Sequence, residues 1–167
     1  MDFRLKDWSF DYAESIAINA NNKKISNNLR DVFPYPYTMK DADYFIEDCI
    51  KNKYNNNINK AIVVDDKAVG SIGITLLNDV YRKSAEIGYW LGENYWNKGI
   101  VTEAVKIIVK EAFERFDIVR INAEIFSDNV SSKRVLEKAG FKFEGVKEKS
   151  IYKNGVLKDS LLYAYIE

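Results

Sequence analysis

Hydrophobic positions in the first half of the chain follow a helical period twice and then a strand pattern. Apolar residues recur at helical spacing in Asp11–Ala20 and again after Thr38, where Asp41 completes a capping-box pattern. The asparagine-rich stretch Lys51–Lys60 is expected to be a solvated loop. The pattern then predicts a β-hairpin, whose strands are Ala61–Val64 and Val69–Leu77 and whose turn is Asp65–Lys67.

The second half of the chain alternates strands with helices. Apolar and polar residues alternate over Ala85–Leu91, which predicts a strand with two different faces, and the clearest helical period begins after Gly99 and reaches Phe116. A β-branched strand over Val119–Phe126 precedes a helix over Asn129–Lys138, and Gly140 suits the left-handed residue that ends such a helix. Strand pattern resumes after that glycine.

The most specific turn in the chain is Asn154-Gly155, because both residues tolerate the positive φ of a type I′ turn. It predicts a terminal β-hairpin. The full order is helix, helix, hairpin, strand, helix, strand, helix, hairpin, without repeats or a linker. We therefore predict one domain over residues 1–167, an α/β (α+β) fold with a single mixed sheet and helices on both faces.

Composition removes several classes of function. Lysine and arginine total 25, and so do aspartate and glutamate, so no net charge attracts nucleic acid or an anionic membrane. No apolar segment approaches ~20 residues, and the N-terminus does not resemble an export signal. We expect a cytoplasmic protein with neither nucleic acid nor a membrane as partner.

The absence of histidine narrows the chemistry further. Cys49 is the only cysteine, so neither a histidine-activated nucleophile nor a conventional His/Cys zinc site can form, and no metal is expected. Proton transfer is left to a carboxylate, a tyrosine, a lysine, a chain terminus or water. Cys49 lies on the second predicted helix, where we interpret it as a packing residue.

The turn between strand Ala85–Leu91 and the helix after Gly99 is the first candidate site. The first amides of a helix have no partner inside it, and the helix dipole is positive at this end, so a phosphate or pyrophosphate is the expected ligand. The alternative is that Gly99 only permits the turn. Neither G-x-x-x-x-G-K-[ST] nor G-x-G-x-x-G is present, which indicates a different phosphate carrier.

Two motifs resemble those of one known family. Asn129–Phe141 is similar to the N-x-x-S-x-R-V-L-E-K-x-G-F stretch of GNAT-superfamily N-acetyltransferases, and Trp96–Ala104 resembles their pyrophosphate loop. In the pattern [QR]-x-x-G-x-[GA], Trp96 replaces Gln or Arg, and Val101 replaces Gly or Ala. Pro34–Tyr37, with other segments, resembles the ribosomal-protein N-terminal (alanine) acetyltransferase subgroup. The resemblance implies a GNAT fold, with a mostly antiparallel twisted sheet and a splayed central strand pair.

The resemblance also implies acetyl-CoA as cofactor and a set of residues that bind it. Amides of the loop would surround the pyrophosphate, and a backbone N–H near Trp90 and Leu91 would polarise the thioester carbonyl. The implied cofactor-binding residues are Trp90, Leu91, Asn97, Lys98, Gly99, Ile100, Val101, Thr102, Asn129, Ser132 and Arg134.

Individual roles follow from the matched positions. Asn129 would contact the pantetheine arm, and Ser132 would hydrogen-bond the departing sulfur, which makes it a catalytic candidate; the alternative is an ordinary first-turn serine. Lys133 and Arg134 would approach the ribose phosphate, although a solvated helix face explains them equally well.

The second catalytic candidate is Glu86, a carboxylate on the strand beside the expected acyl group. It would remove the proton from the acceptor amine, directly or through water. The alternative is an exposed strand residue, or a salt bridge with Arg82 or Lys83. Tyr152 and Tyr163 are weaker candidates for the base.

The resulting hypothesis is acetyl transfer from acetyl-CoA to a primary amine by direct attack in a ternary complex. The acceptor would be a protein N-terminus or a small-molecule amine such as a polyamine, and the family resemblance implies a homodimer. The alternative is a non-catalytic acyl-CoA-binding sensor or interaction module of the same fold.

Overall fold

The computed structural model describes residues 1–167. Its strands are β1 (Arg4–Lys6), β2 (Asn57–Val64), β3 (Lys67–Leu76), β4 (Ser84–Leu91), β5 (Arg120–Phe126), β6 (Lys142–Lys153) and β7 (Val156–Ile166). Its helices are α1 (Ala13–Ala20), α2 (Lys23–Ser26), α3 (Met39–Lys51), α4 (Ile100–Arg115) and α5 (Val130–Lys138). The strands form one sheet in the order β1-β2-β3-β4-β5-β7-β6.

Helices cover both faces of this sheet, and each face has its own hydrophobic core. Alternate residues of β2 show the division, since Ala61 and Val63 pack with α1 and α3 while Ile62 and Val64 pack with α4. The mixed α/β fold predicted from the pattern is confirmed. None of the helices is both long and apolar enough to cross a membrane.

Helix α4 supplies much of the core on its face of the sheet. The buried positions recur every three or four residues and are Ile100, Ala104, Val105, Ile108, Val109 and Ala112. Each buried Val or Ile side chain stabilises the fold by roughly 1.5–3 kcal/mol. The helix ends at Arg115, so Phe116, which fits the predicted period, is extended instead.

Short-range signals in the sequence are reproduced in the structure. The Asp41 amide donates to the Thr38 hydroxyl at 3.3 Å, and the Thr38 amide donates to the Asp41 carboxylate at 2.8 Å, which completes the capping box of α3. Asn154 and Gly155 have φ of 52° and 76° in the β6–β7 turn. Gly140, after α5, has φ of 96°.

Near one edge of the sheet, one expectation was wrong and one strand was not predicted. Lys51–Lys60 is not one loop, because α3 runs to its first residue and β2 begins at Asn57, which pairs with Thr75 of β3. β1 was not predicted at all. Its three residues are too few to show a period, and they are extended because they pair with β2, Arg4 opposite Val63.

The centre of the sheet is splayed, as the family resemblance implied. All neighbouring strands are antiparallel except β4 and β5, which pair in parallel only between Ser84–Glu86 and Arg120–Asn122. β4 continues along β3 as far as Leu91, and β5 continues along β7 as far as Phe126. The two strands therefore diverge beyond Glu86 and leave facing edges without sheet partners.

Candidate active site

The divergence of β4 and β5 opens a cleft of about 510 Å³. Its walls are the two free strand edges, the first turns of α4 and α5, and α2 with the residues that follow it. All eleven predicted cofactor-binding residues line this cleft: Trp90, Leu91, Asn97, Lys98, Gly99, Ile100, Val101, Thr102, Asn129, Ser132 and Arg134. The tertiary structure thus brings two distant motifs together.

The free edge of β4 presents backbone groups from alternate residues. Gly92 N–H donates to Val69 of β3 at 2.7 Å, and the Ser84 carbonyl accepts from Leu77 at 2.9 Å, so even-numbered residues face β3. Backbone groups of Ile87, Tyr89 and Leu91 therefore point toward the cleft. Between the two residues named for carbonyl polarisation, this alternation selects the N–H of Leu91.

Trp90 contributes its side chain to the cleft, because its backbone groups face β3. Its indole ring lies on the α1–α3 face of the sheet and meets Phe33 edge-on, with 5.5 Å between ring centroids. Phe33 also packs against Tyr37, at 5.2 Å. The aromatic loop after α2 thus supports the cleft at Trp90.

The start of α4 forms the end of the cleft. The first backbone bond of the helix runs from Glu103 N–H to the Gly99 carbonyl, at 3.2 Å, so the amides of Gly99–Thr102 have no acceptor within the helix. Gly99 has φ of 76° and Asn97 has φ of 59°, so two left-handed residues shape the turn. Free amides and the positive end of the helix dipole together suit an anion.

Trp96 has a function in the structure that its position in the motif did not reveal. Its indole N–H donates to the Leu91 carbonyl at 2.7 Å, and this carbonyl lies on the free edge of β4. The side chain that replaces Gln or Arg thereby ties the loop to the strand. The bond also satisfies one acceptor that has no strand partner.

Ser132 lies in the first turn of α5. Its amide donates to the side chain of Asn129, the N-cap residue, at 3.2 Å. Its buried hydroxyl lies 2.6 Å from the hydroxyl of Tyr89. Burial raises the pKa of Tyr89 to about 12. Tyr89 was not among the predicted site residues, and its only sequence signal was a hydroxyl on the apolar face of β4.

Glu86 lies at the last paired position of β4 and does not line the cleft itself. Its side chain is 39% exposed and accepts a hydrogen bond from Arg30 at 2.9 Å. The expected alternative partners were wrong: Arg82 donates to the Asp79 carbonyl, and Lys83 pairs with Asp117. An ion pair does form, with an arginine 56 residues away in the sequence.

The two tyrosines considered for the base are in different surroundings. Tyr163 is buried, and its hydroxyl donates to Glu137 at 3.4 Å, outside the cleft. Tyr152 is 70% exposed on β6. Neither residue lines the cleft.

The segment from α2 to the following loop closes one side of the cleft, and the sequence did not indicate this. Asn22 donates to Glu93 at 2.7 Å. The β6–β7 turn is attached to the same segment, since Lys153 pairs with Asp31 at 2.8 Å. The residues of this segment that line the cleft are Lys24, Ile25, Asn28 and Leu29.

Comparisons with known proteins agree with this geometry. The probable N-acetyltransferase YjcK of Bacillus subtilis is 38% identical over 102 residues, which cover 61% of this chain and 56% of the relative. The ribosomal-protein-serine acetyltransferase of Escherichia coli is 30% identical over 105 residues, covering 63% and 58%. The matches thus span little more than half the length of these curated relatives.

Solved structures match over almost the whole chain. The microcin C7 self-immunity acetyltransferase MccE, solved with acetyl-CoA and AMP, is 29% identical with a TM-score of 0.86, covering 99% of this chain and 93% of that one. RimL, the ribosomal L7/L12 α-N-protein acetyltransferase solved with coenzyme A, has a TM-score of 0.87 at 22% identity, covering 98% and 93%, and supports the fold alone. The acetyltransferase (GNAT) domain family matches residues 2–142. The chain belongs to the GNAT acetyltransferase family.

Proposed function

We propose that this chain transfers an acetyl group from acetyl-CoA to a primary amine. The observation that carries the proposal is the meeting, in one cleft, of the free edge of β4 with the unpaired amides that begin α4. A ligand with an extended arm and a diphosphate needs both features, the strand edge for the arm and the free amides for the diphosphate. The names of the relatives as N-acetyltransferases support the same chemistry.

The residues present fit coenzyme A. The amides of Gly99–Thr102 would hold the pyrophosphate, with Arg134 at the cleft wall, and Asn129 with the free edge of β4 would hold the pantetheine arm. When bound, the coenzyme supplies an acetyl thioester and a thiol leaving group. The Leu91 N–H would then polarise the thioester carbonyl and stabilise the negative charge that develops on its oxygen.

Two side chains would handle the proton and the leaving group. Glu86 would accept the proton of the incoming ammonium, directly or through water, and Arg30, which donates a hydrogen bond to that carboxylate, would fix its orientation. The Ser132 hydroxyl would donate a hydrogen bond to the departing sulfur.

Direct attack in a ternary complex fits the chain better than an acyl-enzyme. Cys49 is the only thiol, and it is buried in the core between the sheet and α3, where burial raises its pKa to about 12. A thiol in that state is a poor nucleophile at neutral pH. The chain has no histidine that could activate a serine instead.

For the acceptor we propose a protein N-terminus or a small-molecule amine such as a polyamine. The relative that modifies ribosomal-protein serine supports the first, and the neighbour solved with acetyl-CoA and AMP shows that a related fold also accommodates a small molecule. Residues 1–167 as one domain, a cytoplasmic location and a homodimer stay predictions.

The test is a release assay with a binding control. The protein is incubated with acetyl-CoA and a panel of peptides, polyamines and small amines, and free thiol and acetylated product are measured. Calorimetry with coenzyme A runs in parallel. Thiol release with an acceptor supports the proposal. Binding without release for any acceptor favours the sensor, and absence of binding refutes both functions.

A further inference from the structure

Tyr89 and Ser132 form an isolated pair of hydroxyls between two walls of the cleft. The tyrosine comes from β4 and the serine from α5, and their oxygens are 2.6 Å apart. Neither hydroxyl has another hydrogen-bond partner in the protein. Both residues line the cleft.

We propose that Tyr89 is a positioning residue that donates to Ser132 Oγ and leaves the serine proton free to face the cleft. The inference rests on the proposed function, in which Ser132 donates to the departing sulfur. The sequence motif assigned stabilisation of the departing sulfur to α5 alone, and the inference gives a residue of β4 a part in it.

The direction of the hydrogen bond decides whether Ser132 can act. A serine hydroxyl has one proton, so if it donated to Tyr89 it would have none left for a ligand. A phenol is a stronger acid than an aliphatic alcohol and is the better donor of the two. With Tyr89 as donor, the serine oxygen accepts one bond and keeps its proton available.

The tyrosine holds the proton that this arrangement requires. Burial raises the pKa of Tyr89 to about 12, so the phenol stays protonated at neutral pH. A thiol such as cysteine has a pKa of about 8.5. Because the phenol is the weaker acid of the two, Tyr89 donates a hydrogen bond and retains its proton while sulfur departs.

The balance of the reaction is unchanged by this role. The ammonium gives one proton to the base and then to solvent, the amine nitrogen bonds to the acetyl carbon, and the C–S bond breaks with its electron pair going to sulfur. The second proton that the nitrogen loses passes through solvent to the thiolate, which leaves an amide and a free thiol. The hydrogen bond from Tyr89 polarises the serine O–H and strengthens its donation to sulfur. Neither side chain gains or loses a proton overall.

A purely structural role of the Tyr89 hydroxyl would be distinguishable by experiment. A buried tyrosine hydroxyl needs a partner whatever the function, so loss of the contact could affect only stability. The matched control is Tyr163→Phe, which removes another buried tyrosine hydroxyl that is bonded to Glu137 outside the cleft.

The experiment compares Tyr89→Phe, Ser132→Ala, their double variant and the Tyr163→Phe control. The first readout is the pKa of the coenzyme A thiol in the complex, from its ultraviolet thiolate absorbance. We expect the wild type to lower this pKa, Ser132→Ala to abolish the effect, and Tyr89→Phe to weaken it. Tyr163→Phe should match the wild type.

The second readout is kcat with acetyl-CoA at saturation, together with KM and the unfolding midpoint. Loss of one neutral hydrogen bond predicts a decrease of about 2- to 12-fold in kcat for Tyr89→Phe. Loss of a donor to a charged sulfur predicts about 10- to 150-fold for Ser132→Ala. The double variant should equal Ser132→Ala, because Tyr89 acts only through the serine.

Three results would overturn the inference. They are additive decreases in the double variant, a Tyr89→Phe protein that loses stability but keeps kcat and the thiol pKa, and an equal effect of Tyr163→Phe. Failure of the proposed function looks different, since the wild type would then neither bind coenzyme A nor release thiol.

Discussion

Gly99 and Gly155 allow a controlled test of the coenzyme loop, because they have the same positive φ at two unrelated places. Each has φ of 76°, and a Cβ built on either would meet no protein atom within 4 Å. Gly99 begins α4 inside the cleft, whereas Gly155 lies in the β6–β7 turn outside it. Gly99→Val and Gly155→Val therefore introduce the same kind of backbone strain, the first inside the proposed coenzyme site and the second outside it.

The size of the effect follows from the backbone. An L-residue in the left-handed region costs about 1–2 kcal/mol, and a β-branched side chain is especially rare there. The variant loop is expected to relax, so coenzyme binding must restore the strained turn that aims its amides. A cost of that size predicts a Kd for coenzyme A that is ~5- to 30-fold higher in Gly99→Val.

The assay is calorimetric titration of each variant with coenzyme A, together with chemical denaturation. Gly155→Val should lose stability while keeping the Kd of the wild type. Equal Kd values for Gly99→Val and the wild type would refute the assignment of this turn to the diphosphate. A similar rise in Kd for both variants would show that the loss reflects general destabilisation.

Three further predictions follow from other contacts. Replacing Glu86 with Gln should lower kcat by about 100-fold or more while the Kd for acetyl-CoA is unchanged; an unchanged kcat across the pH range would remove Glu86 as the base. Replacing Thr38 with Ala should lower the free energy of unfolding by about 1 kcal/mol at neutral pH, since the hydroxyl that caps α3 is lost. The Thr38 backbone amide, which alanine retains, and the Thr38 hydroxyl both lower the pKa of Asp41, so the share that comes from the hydroxyl is present above the usual carboxyl pKa of 3.8 and is lost as pH falls through the folded value. The difference from wild type should therefore shrink in acid, and denaturation at neutral and low pH checks this; a constant difference would contradict it. Replacing Ile108, which is fully buried, with Ala should lower the free energy of unfolding by about 2–5 kcal/mol in the same assay, and a loss well below that range would show that α4 packs loosely.

Features that depend on neighbours along the chain were predictable residue by residue. The Thr38–Asp41 cap, the Asn154-Gly155 turn and the left-handed Gly140 after α5 all appear in the structure. In each case the backbone itself holds the interacting groups a few residues apart. The side-chain types and their spacing were therefore sufficient.

For the cleft, the sequence predicted which residues line it but not the contacts that they make. The motifs at Trp96–Ala104 and Asn129–Phe141 indicated which residues line it, and all eleven cofactor-binding predictions lie along its walls. The motif could not show what Trp96 does in place of Gln or Arg. Its bond to the Leu91 carbonyl exists only because the loop turns back onto β4.

Long-range pairings were decided by the assembled sheet. Arg30 reaches Glu86 across 56 residues, and Tyr89 reaches Ser132 across 43, because the assembled fold places their elements next to one another. β1 likewise owes its extended shape to β2. A periodic pattern reports which face of an element is buried, but it contains no information on which element will cover that face, so these partners become visible only once the chain has packed.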